Sequence, residues 1–141
     1  MPDPALVRFH HFGLAARDPA RAAAFLRVLG YEVGPLVRDP LQGVDLAMAT
    51  HPSMPAVEII APLGDAGPLA AALRRDAEVV YHVCFETDDR ARALAAMREA
   101  GGRVIPISEA TPATLFGGRA VSFHRVAGFG LIELLDAAEA A

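Results

Sequence analysis

The chain has 141 residues, 53% hydrophobic and 21% charged, the scale of one globular domain with a sizeable core. All 13 basic residues are arginine and 17 residues are acidic, so a net charge of −4 gives no general attraction to nucleic acid or an anionic membrane. A single cysteine, Cys84, excludes an intrachain disulfide framework, and no apolar run approaches the roughly 18 residues of a membrane span. The Met1-Pro2-Asp3-Pro4 start lacks the basic and apolar regions of a signal peptide. A cytoplasmic location and a small-molecule partner are therefore expected, with no nucleic acid and no membrane.

Residues 7–15 read as a strand that sets His11 and Gly13 on one face and His10 and Phe12 on the other. A helix follows over 18–30. Asp18 suits its N-cap, Pro19 its first turn and Gly30 its end, and Ala22, Phe25, Leu26 and Leu29 form the apolar stripe. Strands are predicted over 31–38, 44–49 and 56–61, with a turn at 39–43 and a short connection at 51–55. Residues 64–77 link to a second half and carry a short helical pattern from Pro68. That half begins near Glu78 with a strand holding His82 and Cys84. A helix over 89–100 follows, capped by Asp88 or Asp89, with Ala93, Leu94 and Met97 inward. Strands are expected at 103–107, 119–124 and 131–135, and 108–116 is the longest irregular stretch. An Ala-rich tail that frays closes the chain.

The two halves are copies. At an offset of 71, His11 matches His82, Asp18 matches Asp89, Arg21 matches Arg92, Arg27 matches Arg98, Gly30 matches Gly101 and Val33 matches Val104. Each half reads β-α-β-β-β, giving an α+β fold of one domain over residues 1–141, made of a module at 7–63 and a module at 78–136.

Each module ends on an apolar strand that carries a lone carboxylate: Glu58 within Val57–Ile60 and Glu133 within Leu131–Leu135. A buried glutamate is costly unless it is paired or bound to a cation. His11 and Glu58 lie 47 residues apart, and His82 and Glu133 lie 51 apart, so one insertion of four residues relates the two pairs. Two imidazoles and two carboxylates suit a divalent metal such as Zn²⁺, Co²⁺, Ni²⁺, Mn²⁺ or Fe²⁺. Cys84 shares the His82 face by strand alternation and reads as a buried, chemically quiet side chain. His10, His51 and His124 lack repeat-matched partners and are expected at the surface or behind the ligands, with His124 at a strand end.

The text His11-Phe12-Gly13-Leu14-Ala15, Gln42-Gly43-Val44, Val57-Glu58-Ile59-Ile60-Ala61-Pro62-Leu63, His82 to Asp89 and Gly130 to Leu135 resembles the vicinal oxygen chelate superfamily of glyoxalase, bleomycin-resistance and extradiol dioxygenase proteins, and most of all its methylmalonyl-CoA epimerases. The resemblance implies paired βαβββ modules forming an open barrel around a shared metal site, commonly in a homodimer. It puts the metal ligands at His11, Glu58, His82 and Glu133, where Glu58 replaces the glutamine typical of the epimerases. It also implies proton abstraction beside a carbonyl or thioester, with Glu133 as base, Glu58 as its partner and an acyl-CoA as a candidate substrate. The catalytic glutamate that some bacterial epimerases carry after Gln-Gly-Val falls on Leu46, and the adjacent Asp45 faces the other way. Arg38 and Arg119 are candidates for the phosphates of such a substrate. Three other readings share the fold: a glyoxalase-like isomerase or secondary-metabolism epimerase or cyclase, an iron-dependent extradiol dioxygenase using His11, His82 and Glu133, and a drug-binding protein without a metal.

Overall fold

Alternating apolar and small residues shape the first unit, residues 11–81, in the computed structural model, which describes residues 3–138. Its elements are β1 (Arg8–Ala16), α1 (Pro19–Val28), β2 (Glu32–Val33), β3 (Val37–Asp39), β4 (Val44–Thr50), β5 (Val57–Pro62) and α2 (Pro68–Arg75). The sheet runs β2-β4-β5-β1, with β3 also on β4. β1 and β5 are parallel, whereas β4 pairs antiparallel with β5, β2 and β3. Asp18 caps α1 by accepting the Arg21 N–H at 3.0 Å. Gly30 turns the chain out at φ 96°, a conformation costly for any residue with a Cβ. Ala23 and Leu26 pack α1 onto Ala16, Ala47, Ala49 and Ile59.

Two expectations change here. Phe25 and Leu29 are exposed, at 62% and 45%, because the helix turns Ala23 to the sheet and small side chains let the two layers approach closely. The strand expected over 31–38 is interrupted at Gly34 and Pro35. Gly34 N–H still bonds Met48 O at 2.9 Å, but Pro35 has no donor with which to continue the ladder.

The second unit comprises residues from 82 onward together with those up to His10. Its elements are β6 (Glu78–Thr87), whose first residues belong to the other unit, α3 (Arg90–Glu99), β7 (Val104–Pro106), β8 (Thr111–Pro112), a 3-10 turn (Thr114–Phe116), β9 (Ala120–Val126) and β10 (Gly130–Asp136). The order is β6-β10-β9-β7, with β8 on β9, and β10 is again parallel to the strand that begins the copy. Asp89 caps α3 through Arg92 N–H, as Asp18 caps α1. Each sheet is open, and three helices accompany the strands, so the α+β class holds. The stretch 108–116 is less irregular than expected. Ala113 is buried with Cys84, Val121 and Leu135, and its N–H bonds Arg119 O at 2.9 Å. The last three residues of the Ala-rich tail lie outside the described residues.

Arg90 fastens this unit. Its guanidinium donates to Leu134 O at 3.2 Å, to Ala120 O at 3.0 Å and to the Asp136 carboxylate at 2.6 Å, and it also contacts Ser122 Oγ. Removing it takes a donor from two carbonyls in a part-buried setting, while the Asp136 carboxylate, 47% exposed, is left to solvent. Arg90→Ala is expected to cost about 1–3 kcal/mol, read as a lower urea midpoint with an unchanged m-value.

Candidate metal centre

Strand pairing decides which side chains meet. In the first unit Gly13 pairs with Glu58, so His11, two residues earlier on β1, shares its face. In the second unit Cys84 pairs with Glu133, and His82 stands two residues before Cys84. Gly13 and Cys84 differ by the same offset of 71, so the repeat extends to the hydrogen-bond register.

All four side chains are buried, with exposures of 0% for His11, 2% for Glu58, 2% for His82 and 3% for Glu133. His11 Nε2 lies 3.6 Å from Glu58 Oε2, and His82 Nε2 lies 3.3 Å from Glu133 Oε1. Nitrogen and oxygen ligands at about 2.1 Å from one cation stand roughly 3.0–3.6 Å apart as the coordination angle runs from about 90° to about 120°. Each pair is therefore spaced like two ligands of one metal. The donor set fits as well, since imidazole and carboxylate suit a borderline divalent ion and two carboxylates neutralise its charge. Phe123, opposite Glu133 on β9, sets its ring edge against His82 with centroids 5.1 Å apart and fixes that imidazole from the side.

The remaining candidates sort by face. Leu46 is 3% exposed and pairs with Ile60 on the Glu58 face, flanked by Val44 and Met48. By strand alternation Glu58 is the one carboxylate on that face of β4 and β5. Asp45 faces away and binds Arg38 at 3.1 Å. Glu86 shares the face of His82 and Cys84. Arg119, 2.7 Å away, holds its carboxyl below the usual range; partial burial opposes this and Arg8 adds to it. Such a carboxylate is a counter-ion rather than a base. Arg38 and Arg119, candidates for phosphate binding, are thus each matched to a carboxylate. Cys84 is fully buried in the core described above. His51 Nδ1 accepts the N–H groups of Ser53 and Met54 and shapes a turn. His10 packs edge-on against Phe116 at 5.4 Å.

His124 departs from expectation. It lies within β9, is 4% exposed and bonds Ser122 Oγ through Nε2 at 2.8 Å. By alternation it faces away from Phe123 and Glu133. The Ser-x-His spacing on a strand places both on one side, a signal available in the sequence. Burial lowers the His124 pKa, and Arg90 and Arg98 add to the effect. The folded protein therefore keeps it neutral where the unfolded chain takes up a proton. Its stabilising effect is present above about pH 6.5 and is lost as pH falls from there through the lowered folded value. The urea midpoint is expected to drop between pH 7 and pH 5, with a smaller drop in His124→Gln.

Comparison with known proteins agrees with this architecture. The model of the glyoxalase/bleomycin resistance protein/dioxygenase superfamily matches residues 10–123. An ethylmalonyl-CoA/methylmalonyl-CoA epimerase of Cereibacter sphaeroides is 35% identical over 104 residues, covering 72% of this chain and 77% of that protein. The fold resembles the crystal structure of methylmalonyl-CoA epimerase from Mycobacterium tuberculosis, with TM-score 0.79 and 23% identity, covering 99% of this chain and 94% of that one. It also resembles a variant Streptomyces coelicolor methylmalonyl-CoA epimerase in complex with 2-nitronate-propionyl-CoA. There the TM-score is 0.73 and the identity 26%, covering 94% of this chain and 96% of that one.

Proposed function

Because this chain belongs to the glyoxalase/bleomycin resistance protein/dioxygenase superfamily, we propose that it epimerises an acyl-CoA of the methylmalonyl type at a divalent metal held by His11, Glu58, His82 and Glu133. It is an enzyme of the isomerase/epimerase kind. The observation that carries the metal assignment is the matched pair in each unit: one buried imidazole facing one buried carboxylate at ligand spacing. The same reading takes both modules as one domain, and the protein as a cytoplasmic homodimer. No helix among the described residues is long and apolar enough to cross a membrane.

The bound cation supplies Lewis-acid stabilisation of the negative charge that develops on a carbonyl oxygen when the neighbouring carbon loses its proton. His11 and His82 serve as neutral, fixed ligands. Glu133, as the carboxylate, takes the proton from the carbon and becomes the acid, while Glu58, from the other copy of the module and protonated from solvent beforehand, gives its proton to the opposite face and becomes the carboxylate. Each glutamate turns one oxygen toward its imidazole. A carboxylate shared with a cation is a weakened base, and Leu46 brings no third acid to the Glu58 face. That apolar position favours, as a second reading, a glyoxalase-like isomerase or an epimerase acting on a different carbon acid.

Solvent exchange tests the proposal. In D₂O with Co²⁺ or Mn²⁺, methylmalonyl-CoA is expected to gain deuterium at C2, and Glu133→Gln to slow this by about 10²–10⁴-fold. Wild-type protein that washes no deuterium into C2 would remove this substrate and leave the second reading.

A further inference from the structure

The strand that delivers His11 does not begin in the unit where it ends. Arg8 to His10 of β1 belong to the second unit, and His11 onward to the first. Whatever holds residue 8 therefore sets where this strand starts. Two ties bind that start to the end of β6. Thr87 Oγ1 donates to Leu6 O at 3.0 Å. The Arg8 guanidinium donates to Glu86 Oε1 at 3.3 Å and to Asp88 Oδ1 at 3.1 Å, while Arg119 holds the other Glu86 oxygen at 2.7 Å.

The repeat separates the tie that the fold needs from the one that has been added. At the offset of 71, Ala77 stands for Leu6, and in the first unit its carbonyl accepts the Arg17 N–H at 3.0 Å. The neutral tie recurs in both copies. The ionic one does not: Val79 and Ala15 stand where Arg8 and Glu86 stand, and Arg17 stands for Asp88. A lone surface ion pair contributes little. Here one guanidinium spans two carboxylates, and one carboxylate lies between two guanidiniums. The Glu86 and Arg119 side chains are only 22% and 24% exposed, so solvent screens this network less than a free surface pair.

The network is also close to both ligand histidines along the chain. His11 follows Arg8 by three residues of β1, and His82 precedes Glu86 by four residues of β6. These are about 10 Å and 13 Å of paired strand at the usual rise.

We infer that Arg8 is a positioning residue for the metal: by fixing the start of β1 on Glu86 and Asp88, it fixes His11 relative to the half-site of His82 and Glu133. The inference rests on the metal reading above. Arg8 itself touches neither metal nor substrate; it acts through the strand.

The test is the Co²⁺ affinity of the intact protein, read by titration calorimetry. Arg8→Gln is expected to weaken binding about threefold to tenfold, and Arg8→Lys to restore part of the loss. Asp45→Asn, which breaks the ion pair with Arg38 in the first unit, leaves the affinity unchanged. In a background carrying Glu86→Gln and Asp88→Asn, Arg8→Gln has no further effect, because its partners are gone. Raising salt from about 0.05 M to about 0.5 M weakens wild-type binding more than that of Arg8→Gln. Thermal unfolding of the metal-free variants checks that each fold persists. A folded Arg8→Gln that binds Co²⁺ like wild type, or that loses as much affinity in the background without the two carboxylates, overturns the inference and leaves the metal reading standing. Wild type that binds no Co²⁺ removes the metal reading, and the inference with it.

Discussion

A carboxylate buried in an apolar strand must be compensated, and the molecule meets this requirement twice. Glu58 and Glu133 are each almost fully buried, and each faces an imidazole from the strand that runs parallel to its own. Leaving such a charge uncompensated costs several kcal/mol. The parallel pairings of β1 with β5 and of β6 with β10 bring each histidine to its glutamate, and the capped helices between them set the direction of the returning chain.

Much of this was legible in the chain itself. His11, Asp18 and Gly30 recur as His82, Asp89 and Gly101 because strand start, helix cap and helix end each need a particular chemistry. Alternation around Glu58 and Glu133 identified the strands that bury them. The register, Gly13 against Glu58 and Cys84 against Glu133, gives structural content to an offset first seen as letters.

What escaped the sequence depends on packing between elements far apart in the chain. Nothing local distinguishes Ala23 from Phe25 as the residue that meets the sheet; the choice rests on how closely α1 approaches β4 and β5. Arg90 reads as an ordinary first-turn arginine until β9 and β10 present their carbonyls to it. The lowered pKa of His124 follows from the same region, where burial first, and then Arg90 and Arg98, discourage a proton. Arg38 and Arg119, conspicuous as candidates for phosphate, turn out to be matched to Asp45 and Glu86.

The central claim is that the two half-sites serve one cation. Metal analysis of protein loaded with Co²⁺ and freed of excess tests it directly, on wild type and on the single variants His11→Ala and His82→Ala. The account predicts one ion per chain in wild type and a loss of affinity in either variant, since each removes a ligand from the same shell. Two ions per wild-type chain, or undiminished binding in either variant, would contradict it.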